Sequence, residues 1–534
     1  MKIILKPFVF LCLAIITLAS CKSAGIISTP IENIDNIPLK VSELSEDQLK
    51  VWGHLDLAKD TIPGMSVDRA YNEIIKNKKG QTTIVAVIDT GIDIDHEDLN
   101  DVVWTNPGEI PNNGKDDDQN GYLDDIHGWN FLGDAYEEQL EYVRLLASGE
   151  TTNPRYQEAQ AEYEREYQEN LNIKTQSEQI YQAIKNADDI ISKHLGKKDY
   201  TKEEVDAIVP KTQAMSQSVY IIQQTYAFGV KTVAEALDAI KSDLNELNKI
   251  LNYNLNKEFK GRTTNDDINN LSDTNYGNNN VKPIVEDESH GSHVAGIIAA
   301  ERDNNIGAKG VANNVKIMSL RVVSNGDEYD KDVALAIRYA ADNGAKVVNM
   351  SFGKYYSPHS EWVRDAIVYA AKKDVLLVTG AGNESLNLDQ KPNYPSDQID
   401  NGPEISDNYL TVGALNPKYG AEMVADYSNY GKINVDVFAP GSDIYSTFPN
   451  NEYKSISGTS MASPGVAGVA ALIRSQYPHL TASQVKHIIM SSGLTLTPKV
   501  IVGGSPNNIK PLNELSKSGK IVNAYNALIM ASKL

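Results

Sequence analysis

Residues 84–91, Ile84-Val85-Ala86-Val87-Ile88-Asp89-Thr90-Gly91, decide the fold. Five apolar residues with no polar alternation are the pattern of a strand buried on both faces, as in a parallel sheet covered by helices. The run ends in a carboxylate, and a glycine two residues later lets the chain turn. An acid at the carboxyl end of such a strand stands where open α/β sheets form their ligand sites. Working outward, strand patterns fall at 83–88, 316–322, 346–351, 375–379, 410–412 and 435–438, and helical patterns at 332–341, 360–372 and 461–475. This alternation predicts an α/β fold, a mostly parallel sheet with helices on both faces.

One segment departs from that rhythm. From Ala135 to Lys260 the strand signals stop. Tyr136, Leu140, Val143 and Ala147 recur at helical spacing, as do Ile180, Ile184, Ala187 and Ile191, while Leu237, Ile240, Leu244, Leu247 and Leu251 form a heptad seam. Thr201 followed by Glu204 is a capping box, and Pro154 and Pro210 break the chain between helices. Residues 135–260 therefore read as an inserted all-α hairpin or bundle whose apolar stripes pack on one another. It divides the α/β domain into residues 45–134 and 261–534.

With 534 residues the chain is long enough for two or three domains. Its 41% hydrophobic and 23% charged residues are ordinary for a globular protein. A net charge of −21 leaves nucleic-acid binding without an electrostatic footing. Lys2 and Lys6 precede the apolar run 8–16, so residues 1–20 read as a processing signal, too short to span a membrane at about 20 apolar residues. Leu18-Ala19-Ser20-Cys21 resembles the bacterial lipobox, which implies a lipid on Cys21 and an exported, membrane-anchored protein of the cell envelope. Cys12 and Cys21 are the only cysteines, so cleavage before Cys21 leaves it no disulfide partner. Residues 21–44 read as a polar tether.

Two further segments carry chemistry. His290-Gly291-Ser292-His293-Val294-Ala295-Gly296 holds two histidines three apart, whereas a zinc peptidase helix places them four apart around a glutamate. Gly458-Thr459-Ser460-Met461-Ala462-Ser463-Pro464 puts a serine at the first turn of a helix, either as a simple N-cap or with its hydroxyl near the positive end of the dipole. Asp-Thr-Gly at 89–91 also occurs in aspartic peptidases, but these need two such carboxylates to share a proton, and no second copy exists here.

Taken together and in this order, the three segments resemble the subtilisin-like serine peptidase family, from roughly Trp52 to Leu528 apart from the insertion. The resemblance implies Ser460 as nucleophile, His290 as general base and Asp89 as the acid that orients the imidazole. His293 matches the family's structural histidine, and Ser292 stands where threonine is usual. Asn383, in Thr379-Gly380-Ala381-Gly382-Asn383-Glu384, matches the oxyanion donor. Ser351-Phe352-Gly353 matches the segment that pairs with substrate backbone, and Gly326 lies near the opposing edge, so polypeptide substrates would bind as extended strands. The implied activity is that of a serine endopeptidase working through an acyl-enzyme, with no cofactor for the chemistry. The alternative is a catalytically silent peptide-binding scaffold on the same fold. Two departures stand out: Asp89 and His290 lie 201 residues apart, and too few residues separate Cys21 from Asp89 for a folding propeptide.

The stretch Asp116-Asp117-Asp118-Gln119-Asn120-Gly121-Tyr122-Leu123-Asp124-Asp125 places oxygens at alternate positions around a glycine turn, like the first half of an EF-hand loop. Asp116, Asp118, Asn120 and the Tyr122 carbonyl are the expected ligands. His127 occupies the closing position, so Asp124 or Asp125 would complete the set around a structural calcium ion.

Overall fold

The structure is a computed structural model that describes residues 28–32, 34 and 43–534. The expected signal over 1–20, the lipidation site Cys21 and most of the expected tether lie outside the described residues.

A nine-stranded sheet forms the centre. Its strands are β1 (Thr83–Asp89), β2 (Gly128–Asn130), β3 (Val315–Arg321), β4 (Val347–Met350), β5 (Leu376–Gly380), β6 (Tyr409–Leu415) and β7 (Val437–Pro440), with two short later strands. Two antiparallel hairpins flank it, β8 (Ile444–Phe448) with β9 (Glu452–Ile456) and β11 (Lys499–Val502) with β12 (Ser505–Pro511). The remaining strands are β10 (Leu494–Thr495) and β13 (Lys520–Ile521). The spatial order is β10-β13-β7-β6-β5-β4-β1-β3-β2, and every neighbouring pair is parallel except β10–β13. The register sets Asp89 beside Arg321 and Ile88 beside Met350, so the ends of the central strands form one rim.

Successive side chains of a strand point to opposite faces, and β1 shows why its sequence is apolar throughout. Val85 and Val87 pack into the core that includes Val294, Ile298, Val466 and Ala470, whereas Ala86 and Ile88 pack into the core that includes Val333, Ile337, Val363 and Ile367. The predicted helices appear as Asp330–Asp342, Ser360–Lys372 and Thr459–Gln476; the first and third extend past the apolar pattern at both ends, and the second keeps its expected bounds. Trp52, Leu57 and Ile62 are buried in the same core, and the Trp52 indole donates to Ser442 O at 2.9 Å.

The insertion is helical, with helices Glu141–Ser148, Tyr156–Leu195, Lys202–Asp206, Gln213–Ala227 and Val233–Lys249. The second has 40 residues, about 60 Å at 1.5 Å per residue. Thr201 and Glu204 form the expected capping box, and Pro154 and Pro210 lie between helices. The distal helices share a small core of their own, with Ile184, Ile191, Val205 and Ile222.

Three expectations are corrected. Tyr136 is not helical: the first helix begins at Glu141, and Glu137 bridges Asn325 in parallel. Ile180 is exposed, because it lies between the two stretches of the long helix that pack, around Ala159 and from Ile184 to Ile191. The segment read as a tether also contributes to the body. Ile31 and Ile34 are buried, and Asn526 clasps Ile31 through both backbone groups, accepting from its N–H at 2.8 Å and donating to its carbonyl at 3.2 Å. Among the described residues, no helix is long and apolar enough to cross a membrane.

Candidate active site

β1 delivers Asp89 to the rim fully buried. One of its oxygens accepts from the Thr90 N–H at 2.7 Å and meets His290 Nδ1 at 2.7 Å. An ionised carboxylate only accepts, so Nδ1 carries the proton and Nε2 is left free to take one. Burial works to lower the basicity of His290, but the charge and hydrogen bond of Asp89 outweigh it and hold the imidazole above its ordinary value.

The helix His290–Ala299 is anchored on two sides. The Gly291 N–H donates to Thr90 Oγ1 at 2.8 Å, and a Cβ at Gly291 would lie 2.5 Å from Thr90 O, so only glycine permits this approach. Ser292 Oγ accepts from Asp93 N at 2.8 Å, which uses the hydroxyl that serine shares with threonine. His293 is buried, its Nε2 lies 3.0 Å from Lys454 O, and burial lowers its pKa to about 4, so it stays neutral and ties the helix to the β8–β9 hairpin. Glu288 joins the turn after Asp89 to this helix by accepting from Gly91 N at 2.7 Å while paired with the buried Arg321. The sequence reading missed Glu288 and Arg321, because a buried ion pair has no local signature.

Ser460 opens the helix Thr459–Gln476, whose other residues are buried except Gln476. Pro464 lacks the N–H that would bond the carbonyl four residues earlier. That carbonyl belongs to Ser460, and Ser351 Oγ donates to it instead at 2.9 Å. The Ser460 hydroxyl itself donates to Ser351 O at 3.0 Å rather than to His290. Of the expected Asp89–His290–Ser460 line, the carboxylate–imidazole link is therefore formed and the hydroxyl–imidazole link is not. A turn of the Ser460 side chain about its Cα–Cβ bond redirects the hydroxyl, and such bonds commonly tighten only when substrate is present.

Asn383 is held by its carbonyl oxygen, which accepts from Thr459 N at 2.9 Å and Thr459 Oγ1 at 3.1 Å. A backbone N–H can only donate, so the amide orientation is fixed and, among the described residues, Nδ2 is the free end. Gly382, at φ +100°, makes the turn that presents it. Asn383, Ser460, Ser351, Phe352, Gly353 and Gly326 line one cavity of about 220 Å³. Asp327, Glu328 and Glu384 also stand on its lining, and burial raises the first two, Glu328 to about 8.

The acidic loop differs from its expected form. Glu109, Asp118 and Asp125 bring carboxylate oxygens within 4.8 Å of one another. Of the six expected ligands only Asp118 and Asp125 belong to this group. Asp116 accepts from the N–H groups of Asn120 and Gly121, and Asp124 from those of Asn113 and Gly114. Asn120 donates its amide to Asp118 and Asp125, and the Tyr122 ring packs against Trp129 and Tyr339. Glu109 was not foreseen. It precedes the acidic run and folds back over it, accepting from Asp117 N, and among the described residues its buried Oε2 has no partner. Three hard oxygen donors with one orphaned oxygen fit a cation such as calcium.

Comparison with known families matches residues 80–514 to the subtilase family, peptidase S8. A thermophilic serine proteinase of Bacillus sp. (strain AK1) is 43% identical over 189 residues, 35% of this chain and 43% of that protein. The cell wall-associated protease of Bacillus subtilis (strain 168) is 38% identical over 248 residues, 46% of this chain and 25% of that protein. Subtilisin DY of Bacillus licheniformis is 36% identical over 228 residues, 42% of this chain and 78% of that protein. The chain thus spans less than half the length of the first two and over three quarters of the third.

Proposed function

The chain belongs to the subtilase family, and on that premise we propose that it is a serine endopeptidase acting through Ser460, His290 and Asp89. The observation that carries this reading is the Asp89–His290 bond at 2.7 Å, which leaves Nε2 unprotonated beside the helix whose first turn carries Ser460. In the reaction His290 takes the Ser460 proton as the oxygen attacks the scissile carbonyl. The tetrahedral oxyanion accepts from Asn383 Nδ2 and the Ser460 N–H, and His290 then returns the proton to the leaving amine, giving the acyl-enzyme. Water repeats the sequence to release the second product. Extended polypeptides fit the groove between Ser351–Gly353 and Gly326. Incubation of the purified chain with a denatured peptide library tests this reading: internal cleavage is expected, and an untouched library would refute it.

One observation favours the second reading, a silent peptide-binding scaffold. The Ser460 hydroxyl is engaged by Ser351 O. The scaffold binds library peptides without cutting them, so the same incubation separates the two.

A calcium ion held by Glu109, Asp118 and Asp125 would neutralise three crowded carboxylates and fix the 106–125 loop. Chelation should lower the melting temperature, and added calcium should restore it; a melting curve indifferent to both would remove the ion from the account. At the N-terminus, the proposal is a lipid on Cys21 that holds the exported enzyme at the cell envelope. Mass spectrometry of the protein from its native host would read that modification directly.

A further inference from the structure

The insertion's base lies against both walls of the cavity beside Ser460. On one wall, Asn325 N donates to Tyr136 O at 2.7 Å and Asp327 N to Gln139 O at 3.3 Å. Asn254 donates its amide to Asn325 O, and Arg144 donates to Asp327 O at 2.9 Å and to Glu328 O at 3.3 Å. The backbone groups of 325 and 327 are thus turned toward the insertion. Among the described residues, Gly326 between them keeps its own N–H and C=O unpaired, on the cavity it lines. A Cβ at Gly326 would lie 2.4 Å from Glu138 O, so the insertion passes directly over this residue.

The opposite wall is held from the same place. Lys354 donates to Glu141 at 2.7 Å and to Glu328 O at 2.6 Å, so one buried ammonium spans from wall to wall. Arg155 donates to Tyr355 O at 2.6 Å and stacks its guanidinium 3.8 Å from the Tyr356 ring centre. Glu141 closes the circuit. Its N–H donates to Asp327 at 2.7 Å, and its carboxylate accepts from both Arg144 and Lys354, which hold it at about 2 against the effect of burial.

We infer that the base of the insertion, residues 136–155, is part of the substrate-recognition apparatus. It sets the spacing of the two walls and leaves Gly326 as the one pairing residue on its edge, with Arg144 and Arg155 as positioning residues. This rests on the peptidase reading above and assigns the insertion a role in the same groove. A substrate that fills several positions beside the scissile bond depends on wall spacing. A small activated ester depends only on the nucleophile and its oxyanion donors.

Arg144→Gln in the full chain tests this with two substrates, an internally quenched octapeptide and p-nitrophenyl acetate. The peptide-to-ester ratio of kcat/KM should fall about tenfold, chiefly through KM. Arg155→Ala, whose side chain is one-third exposed, should lower the same ratio about threefold and carries the test if Arg144→Gln fails to fold. Parallel losses on both substrates, or an unchanged ratio in both variants, would overturn the inference. Wild-type protein that hydrolyses neither substrate would instead overturn the peptidase reading on which it rests.

Discussion

The helix that carries Ser460 and the 40-residue helix of the insertion are built on opposite terms. The first buries every residue except Ser460 and Gln476, so its geometry is dictated from all sides. The second buries only Ala159, Ile184, Ala187 and Ile191 and is held chiefly near its two ends. A helix enclosed in a packed core can hold a nucleophile in place, because packed interiors do not deform continuously. A helix held at its ends transmits force only where it touches. In the proposed function, that difference places the chemistry at the sheet rim and confines the insertion's influence to its base.

The largest test of this contrast removes the proposed nucleophile. Ser460→Ala should reduce kcat about a millionfold, a magnitude carried over from subtilisin itself, as measured by peptide turnover in a stable, folded variant. A variant with most of its activity would break the assignment of chemistry to this helix. Next comes Asn383→Ala, for which the oxyanion donor of subtilisin sets an expectation of about 10²–10³ in kcat. A loss confined to KM would place Asn383 in binding rather than in stabilising the transition state. Ile222→Ala in the distal core should cost about 2–5 kcal/mol of local stability, read by hydrogen exchange in the helix Gln213–Ala227. Peptide turnover should stay as it was; a parallel fall would mean that the distal bundle also serves the site. The smallest effect is on pH. Because His290 sits above its ordinary value and must be neutral to act as the proposed base, kcat/KM should fall on acidification with a midpoint above about 6.5. A midpoint well below that would contradict the Asp89–His290 coupling.

How much of this was legible in the sequence follows the same contrast. Asp89, His290, Asn383 and Ser460 each stand in a segment whose neighbours are constrained by backbone geometry, such as Gly291 against Thr90 O and Gly382 at φ +100°. Such constraints leave short, ordered motifs. The strands of the rim were equally plain, because burial on both faces removes polar residues from them. What stayed hidden depends on contacts between distant segments. Tyr136 has helical spacing with Leu140 and Val143, yet Tyr136–Gln139 runs extended because it pairs with residues 325–327. Glu109 lies before the acidic run and joins Asp118 and Asp125 only when the loop closes. Ile31 and Ile34, in a stretch that reads as polar, are buried through Asn526 and the body, nearly 500 positions away for Ile31.

Labelling with a fluorophosphonate probe, followed by mapping of the modified peptide, tests the central claim most directly. The adduct should form on Ser460 alone, at one per chain, and should be lost in His290→Ala. An unlabelled wild-type protein, or labelling that survives loss of His290, would contradict a nucleophile activated by that imidazole.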